Sequence, residues 1–247
     1  MAEQEPSEAA TDPVPARGAA PDVRARLALA LDTDDAVEAI RLARELSPWF
    51  GVAKVGLELF TAAGPDVVAR LVDSGFDVFV DLKMFDIPTT VERAARVVGS
   101  LGATYLTLHA RDDAPMLRAG ADGFKDGAER AGLPEPVPLA VTVLTSDGGA
   151  PAHILPRRVA LAAETGCGGI VCAASDLTEA RQIAPRLVRV VPGIRVAGGD
   201  AHDQARAATP RAALDAGADL LVIGRTVTTA ADRAAAAAAL VGELHAP

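Results

Sequence analysis

Eight short apolar runs punctuate this chain, at 27–31, 52–55, 78–82, 105–108, 139–143, 169–172, 188–191 and 220–223. They recur at intervals of roughly 20 to 35 residues, the length of a strand, a helix and two loops. Stretches of helical composition lie between them, at 35–46, 91–101, 157–164, 204–216 and 230–244. Apolar strands alternating with helices predict a parallel sheet covered by helices. Eight such units over about 225 residues predict a closed (β/α)8 barrel of the TIM type, an α/β fold in one domain. An open doubly wound sheet is the alternative, but it usually has fewer strands. No GxxxxGK[ST] or GxGxxG segment follows the first run, so a nucleotide-binding version of that sheet has no motif support.

The barrel is expected over residues 23–247. Residues 1–22 are rich in Ala, Pro and Glu, show no apolar period, and read as a disordered N-terminal extension. Half of the 247 residues are hydrophobic, enough for a substantial core without disulfides or metals. The net charge of -9 and the 3% aromatic content disfavour a general nucleic-acid binder, which needs a basic surface. The two cysteines, Cys167 and Cys172, fit neither a zinc site nor a CxxC redox pair and are read as buried thiols. No apolar run reaches the ~20 residues needed to span a bilayer, and no signal-peptide pattern opens the chain. The expectation is therefore a cytoplasmic protein with no membrane partner.

In such barrels, function sits at the C-terminal ends of the strands. Side chains on a strand alternate between faces. In the third run, Val78, Val80 and Leu82 are expected to face the helices, while Phe79, Asp81 and Lys83 face the barrel axis. Asp81 and Lys83 thus emerge together at the mouth. The first run leads straight into Asp32, the second carries Lys54, and the fourth ends in His109. Buried charges are costly unless paired, and structural pairs are replaceable by apolar packing. Several pairs at one mouth therefore point to chemistry. A lysine flanked by carboxylates stays protonated and can act as a positioned proton donor. His109 is as consistent with a hydrogen-bonded support and is left out of the catalytic set.

The last run continues into Gly224-Arg225, and the seventh into Pro192-Gly193-Ile194-Arg195. Glycine lets a ligand approach the backbone N–H, and arginine offers a bidentate fork, so both ends suit a phosphate. The loop of about nine residues between Arg195 and Gln204 could close over it as a lid.

The chain beyond its N-terminal extension resembles the orotidine 5'-phosphate decarboxylase family. The resemblance rests on Ala30-Leu31-Asp32, Lys54-Val55-Gly56, Asp81-Leu82-Lys83-Met84-Phe85-Asp86-Ile87-Pro88, Val141-Thr142-Val143-Leu144-Thr145-Ser146, Pro192-Gly193-Ile194-Arg195 with Gln204, and Gly224-Arg225. Each is weak alone; all six in order are specific. Met84-Phe85 stands in the middle of the third motif where many relatives carry Phe-His, at positions that need not ionise.

The resemblance implies decarboxylation of orotidine 5'-phosphate to UMP and CO2, the last step of de novo UMP biosynthesis, with no cofactor and no metal. It implies that Asp81 and Lys83 lie against the orotate carboxylate and C6, with Lys83 as proton donor. Asp32 and Lys54 would contact the ribose. Thr145 and Ser146 would bind the pyrimidine edge, and Arg195, Gln204, Gly224 and Arg225 the phosphate. Asp86, with Ile87 and Thr90, would reach the partner subunit's site, which implies a homodimer with shared active sites.

Two alternatives stay open on the residues alone. One is a magnesium-dependent hexulose-phosphate synthase or keto-gulonate-phosphate decarboxylase, which shares the Asp-x-Lys-x-x-Asp core. Leu144-Thr145-Ser146 and Arg195 with Gln204 favour the orotidylate enzyme. The other is a catalytically inactive barrel that binds a phosphorylated ligand, against which the intact Asp81, Lys83 and Asp86 set argues.

Overall fold

A computed structural model describes residues 21–111, 114–147, 149–195 and 208–245. A helical turn α1 (Pro21–Arg24) leads into β1 (Leu27–Leu31), α2 (Ala36–Leu46) and β2 (Val52–Gly56). Two short helices follow, α3 (Leu57–Ala63) and α4 (Asp66–Asp73), then β3 (Asp77–Met84) and α5 (Pro88–Ser100). Next come β4 (Tyr105–His109), α6 (Ala114–Arg130), β5 (Val137–Val141) and α7 (Ile154–Glu164). The chain continues through β6 (Gly169–Val171), a 3-10 turn, α8 (Leu177–Ile183) and β7 (Val188–Val191). It ends with α9 (Pro210–Asp215), β8 (Leu220–Ile223), α10 (Arg225–Thr228) and α11 (Arg233–His245). Of the expected extension over 1–22, only Pro21 and Asp22 are described, and they open α1.

The eight strands are parallel, pair in sequence order, and close β8 onto β1 with Leu27 opposite Leu221. This is the expected (β/α)8 barrel. The period of two separates its two apolar regions. Ala28, Ala30, Val52, Phe79, Leu139, Val190, Leu220 and Val222 fill the barrel interior as one cluster. Their neighbours Leu27, Leu29, Leu31, Val78 and Val80 belong to the larger core between strands and helices. The expected facing of the third strand is therefore the observed one.

The helices close by local rules. Asp35 caps α2 by accepting from the Val37 and Glu38 amides at 2.7 and 3.2 Å. Its buried residues, Ala39, Leu42, Ala43 and Leu46, follow the spacing of one helical face. Pro88 opens α5, where its missing N–H costs nothing. On α6, a Cβ at Gly123 or Gly127 would overlap the carbonyl oxygens of Glu92 and Arg96, so these glycines let α6 lie directly on the α5 backbone.

Two strands, β5 and β3, differ from their apolar runs by more than one residue. β5 begins at Val137, two residues before the apolar run, and ends at Val141. Pro138 hides that start, because proline normally interrupts a strand. Its carbonyl nevertheless accepts from the Gly168 amide at 3.0 Å, which keeps it in the ladder. β3 extends to Met84, and its pairing with β4 is irregular. Val80 lies opposite Leu106 and Met84 opposite Leu108, so four steps along β3 match two along β4.

Candidate active site

The strand ends converge on a cavity of about 240 Å³ at the C-terminal mouth of the barrel. Its walls carry two ammonium–carboxylate pairs. The first joins β1 to β2. Lys54 is opposite Ala30 in the ladder and points into the barrel. Its Nζ donates to Asp32 Oδ1 at 2.9 Å. The lysine is 9% exposed, so its charge is stabilised chiefly by that partner. Gly56 keeps the space beside the pair open: a Cβ there would sit 3.2 Å from Lys54 Nζ and 3.7 Å from Asp32 Oδ1.

The second pair lies within β3. Lys83 Nζ donates to both oxygens of Asp81, at 2.8 and 2.9 Å. Lys83 has φ of 48°, the one positive-φ non-glycine among the described residues. A left-handed conformation at such a residue costs about 1–3 kcal/mol and occurs where the surroundings over-determine it, commonly at functional sites. It falls in the irregular part of β3. There the Lys83 amide donates to the side-chain Oγ1 of Thr107 at 2.8 Å rather than to a ladder carbonyl. The same hydroxyl donates to Asp81 Oδ1 at 3.0 Å. Thr107 is fully buried and sits on β4. The sequence reading does not single it out, although the period of two places it on the same face as His109.

The other side of the cavity is built from β7 and β8. Gly193, with φ of 77°, turns the chain after β7, and Arg195 follows. The Arg195 amide donates to the Ala208 carbonyl at 2.9 Å, and its guanidinium to the Ile194 carbonyl at 2.8 Å. Gly224 precedes α10, and Arg225 is its first residue. A Cβ on Gly224 would lie 3.9 Å from Asp32 Oδ2, so this turn adjoins the first ion pair. Val141, Val143, Leu144, Thr145 and Val171 supply the remaining, mostly apolar wall.

The cavity thus brings together Asp32, Lys54, Asp81, Lys83, Thr145, Arg195, Gly224 and Arg225. Ser146, Asp86, Ile87 and Thr90 do not line it. Asp86 is exposed, and its carboxylate accepts from the Ile87 amide at 2.6 Å. Ile87 is 65% exposed. Gln204 lies outside the described residues.

His109 also stands apart from the cavity. Its ring meets Phe85 edge-on, with centroids 6.3 Å apart. Burial pushes its pKa below the ordinary 6.5, and the nearby Arg158, Arg111 and Lys83 charges push the same way. Its Nδ1 is buried and without a hydrogen-bond partner among the described residues. Among those residues there is also no cluster of three or more His, Cys, Asp or Glu that could hold a metal. No described helix is long and apolar enough to cross a membrane.

This arrangement offers a fixed ammonium for developing negative charge and two arginines for an anion. Preorganised charge of this kind acts strongly in a site partly shielded from water.

Comparison with known proteins agrees with the geometry. The model of the Orotidine 5'-phosphate decarboxylase / HUMPS family matches residues 25–240. The orotidine 5'-phosphate decarboxylase of Moorella thermoacetica is 41% identical over 232 residues, which cover 89% of this chain and 92% of that protein. The enzyme of the same name from Thermobifida fusca is 44% identical over 233 residues, covering 90% and 96%. Among solved structures, orotidine 5'-phosphate decarboxylase from Lactobacillus acidophilus superposes with a TM-score of 0.71 at 33% identity, covering 89% of this chain and 99% of that one. An uncharacterized conserved protein from Geobacillus kaustophilus gives 0.74 at 31% identity, covering 89% and 100%.

Proposed function

Because the chain belongs to the orotidine 5'-phosphate decarboxylase / HUMPS family, we propose that it converts orotidine 5'-phosphate to UMP and CO2 in pyrimidine biosynthesis. The observation that carries this reading is the Lys83 ammonium held on Asp81 within the cavity that Arg195 and Arg225 also line. The relatives of 41% and 44% identity carry the decarboxylase name, which favours this activity over the magnesium-dependent branch of the family.

In the proposed mechanism, Arg195 and Arg225 hold the phosphate dianion, with the Gly224 backbone beside it. Gln204 completes that end. Asp32 and Lys54 contact the ribose hydroxyls, and Thr145 and Ser146 the pyrimidine edge. These contacts set C6 against Lys83. The bond from C6 to the carboxylate breaks, CO2 leaves, and the electron pair stays on C6. The Lys83 ammonium stabilises that carbanion and then transfers one proton from Nζ to C6, giving UMP and a neutral amine that solvent reprotonates. Asp81 holds the ammonium in place through both of its oxygens. Binding energy from the distant phosphate is spent on orienting the reacting carbon.

The proposal includes a homodimer in which Asp86, Ile87 and Thr90 serve the partner's site. Their exposure beside the mouth, outside their own chain's cavity, supports it. The direct test follows the ultraviolet loss of orotidine 5'-phosphate together with UMP formation. Stoichiometric UMP is expected; a folded protein that produces none overturns the reading.

A further inference from the structure

We infer that Thr107 is the positioning residue for the Asp81–Lys83 pair, acting through one hydroxyl that ties the strained Lys83 backbone to the Asp81 carboxylate. The inference rests on the reading of Lys83 as the proton donor.

The irregular β3–β4 register creates the need. Where four steps of β3 run beside two of β4, regular ladder pairing is interrupted between Val80 and Met84. The Lys83 amide is then a partly buried donor whose acceptor is the Thr107 hydroxyl, at 2.8 Å. An unsatisfied buried donor is costly, so this bond helps hold Lys83 at φ of 48°. A threonine hydroxyl has one proton to give. Since the oxygen accepts from the Lys83 amide, its own hydrogen is free for Asp81 Oδ1, 3.0 Å away.

The consequence is a closed circuit. Thr107 fixes the backbone of Lys83 and one oxygen of Asp81, and both Asp81 oxygens accept from Lys83 Nζ. Two of the atoms that set where the ammonium points, the Lys83 amide nitrogen and Asp81 Oδ1, are thereby bonded to one side chain on the neighbouring strand. Thr107 is fully buried, with 0% of its surface accessible, so water cannot replace its hydroxyl without repacking. Valine has nearly the same shape but can neither accept from the amide nor donate to the carboxylate. Serine keeps both functions and loses only a methyl.

Three variants test the inference: T107V, T107A and T107S. Each is assayed for kcat and KM with orotidine 5'-phosphate, with folding checked by circular dichroism. The expected result is a kcat lower by at least ~10-fold in T107V and T107A, with KM changed less than ~3-fold, the pattern of a misplaced reacting group rather than lost binding. T107S is expected to stay within ~3-fold of the parent kcat. A folded T107V with parental kcat overturns the inference, as does T107S falling as far as T107A. If T107V does not fold, the ratio of T107S to T107A decides alone. An inactive parent protein would instead remove the decarboxylase reading itself.

Discussion

Lys83 and Asp81 stand two residues apart on one strand, yet the lysine ammonium folds back to bind both oxygens of the aspartate, at 2.8 and 2.9 Å. A regular strand sends residues i and i+2 out in parallel. Here the two side chains share the inner face, Lys83 takes a left-handed step, and the pair meets inside the mouth.

Removing the ammonium separates chemistry from binding. The Lys83→Ala variant is expected to lose at least ~10³-fold in kcat, the scale of a lost general acid that also stabilises charge. UMP binding, measured by calorimetry, should remain detectable, because Arg195 and Arg225 are untouched. A variant that keeps a near-parental rate would remove Lys83 as proton donor.

Metal dependence distinguishes the two branches of the family. The proposed mechanism places the developing charge next to Lys83, so turnover in excess EDTA should equal the untreated rate. A loss restored by added magnesium would instead favour metal-assisted stabilisation of an enediolate.

Sharing of Asp86 across a dimer has a numerical signature. Asp86→Ala and Lys83→Ala chains are each expected to be nearly inactive alone. In a twofold dimer of one chain of each kind, one site has both residues and the other has neither. Equal mixing with free exchange should therefore restore activity to about one quarter of the sites. No recovery in a preparation shown to contain mixed dimers would remove Asp86 from the partner's site.

His109 should leave a trace in the acid stability of the fold. Its pKa is lowered in the folded protein by burial first and by Arg158, Arg111 and Lys83 next. The unfolded chain binds that proton more readily, so its contribution to stability is intact above pH 6.5 and is lost as pH falls from there through the folded value. Replacing it by glutamine should flatten that part of the stability-versus-pH curve, measured by urea unfolding between neutral and mildly acidic pH. An unchanged slope would count against a lowered His109 pKa in the folded protein.

The elements that could be read from the chain are those whose burial is uniform or strictly alternating. β1 and β8 match their apolar runs end to end, because buried parallel strands show themselves as short continuous hydrophobic segments. The shared face of Asp81 and Lys83 follows from the period of two, as does the interior place of Phe79. Thr107 was beyond that reach. Its role depends on the β3–β4 register, a relation between strands more than twenty residues apart in sequence, and register irregularity has no local signature. α6 was hidden for a related reason. Gly120, Gly123 and Gly127 weaken its intrinsic helical preference, and the contact with α5 that makes use of them is tertiary. Ser146, Asp86, Ile87 and Thr90 came from family resemblance rather than from the strand pattern, and the single-chain cavity does not include them.

The irregular stretch of β3 also limits how far this chemistry could be moved to another scaffold. Copying Asp-x-Lys onto a regular strand of a different barrel would set two side chains on its inner face with Cα atoms about 6.6 Å apart. A flexible four-carbon stem would then be left without a backbone constraint, free to explore the mouth. The transplantable unit is a pair of strands carrying their mismatch and the threonine that spans it, so this motif is better defined by three dimensions than by its letters.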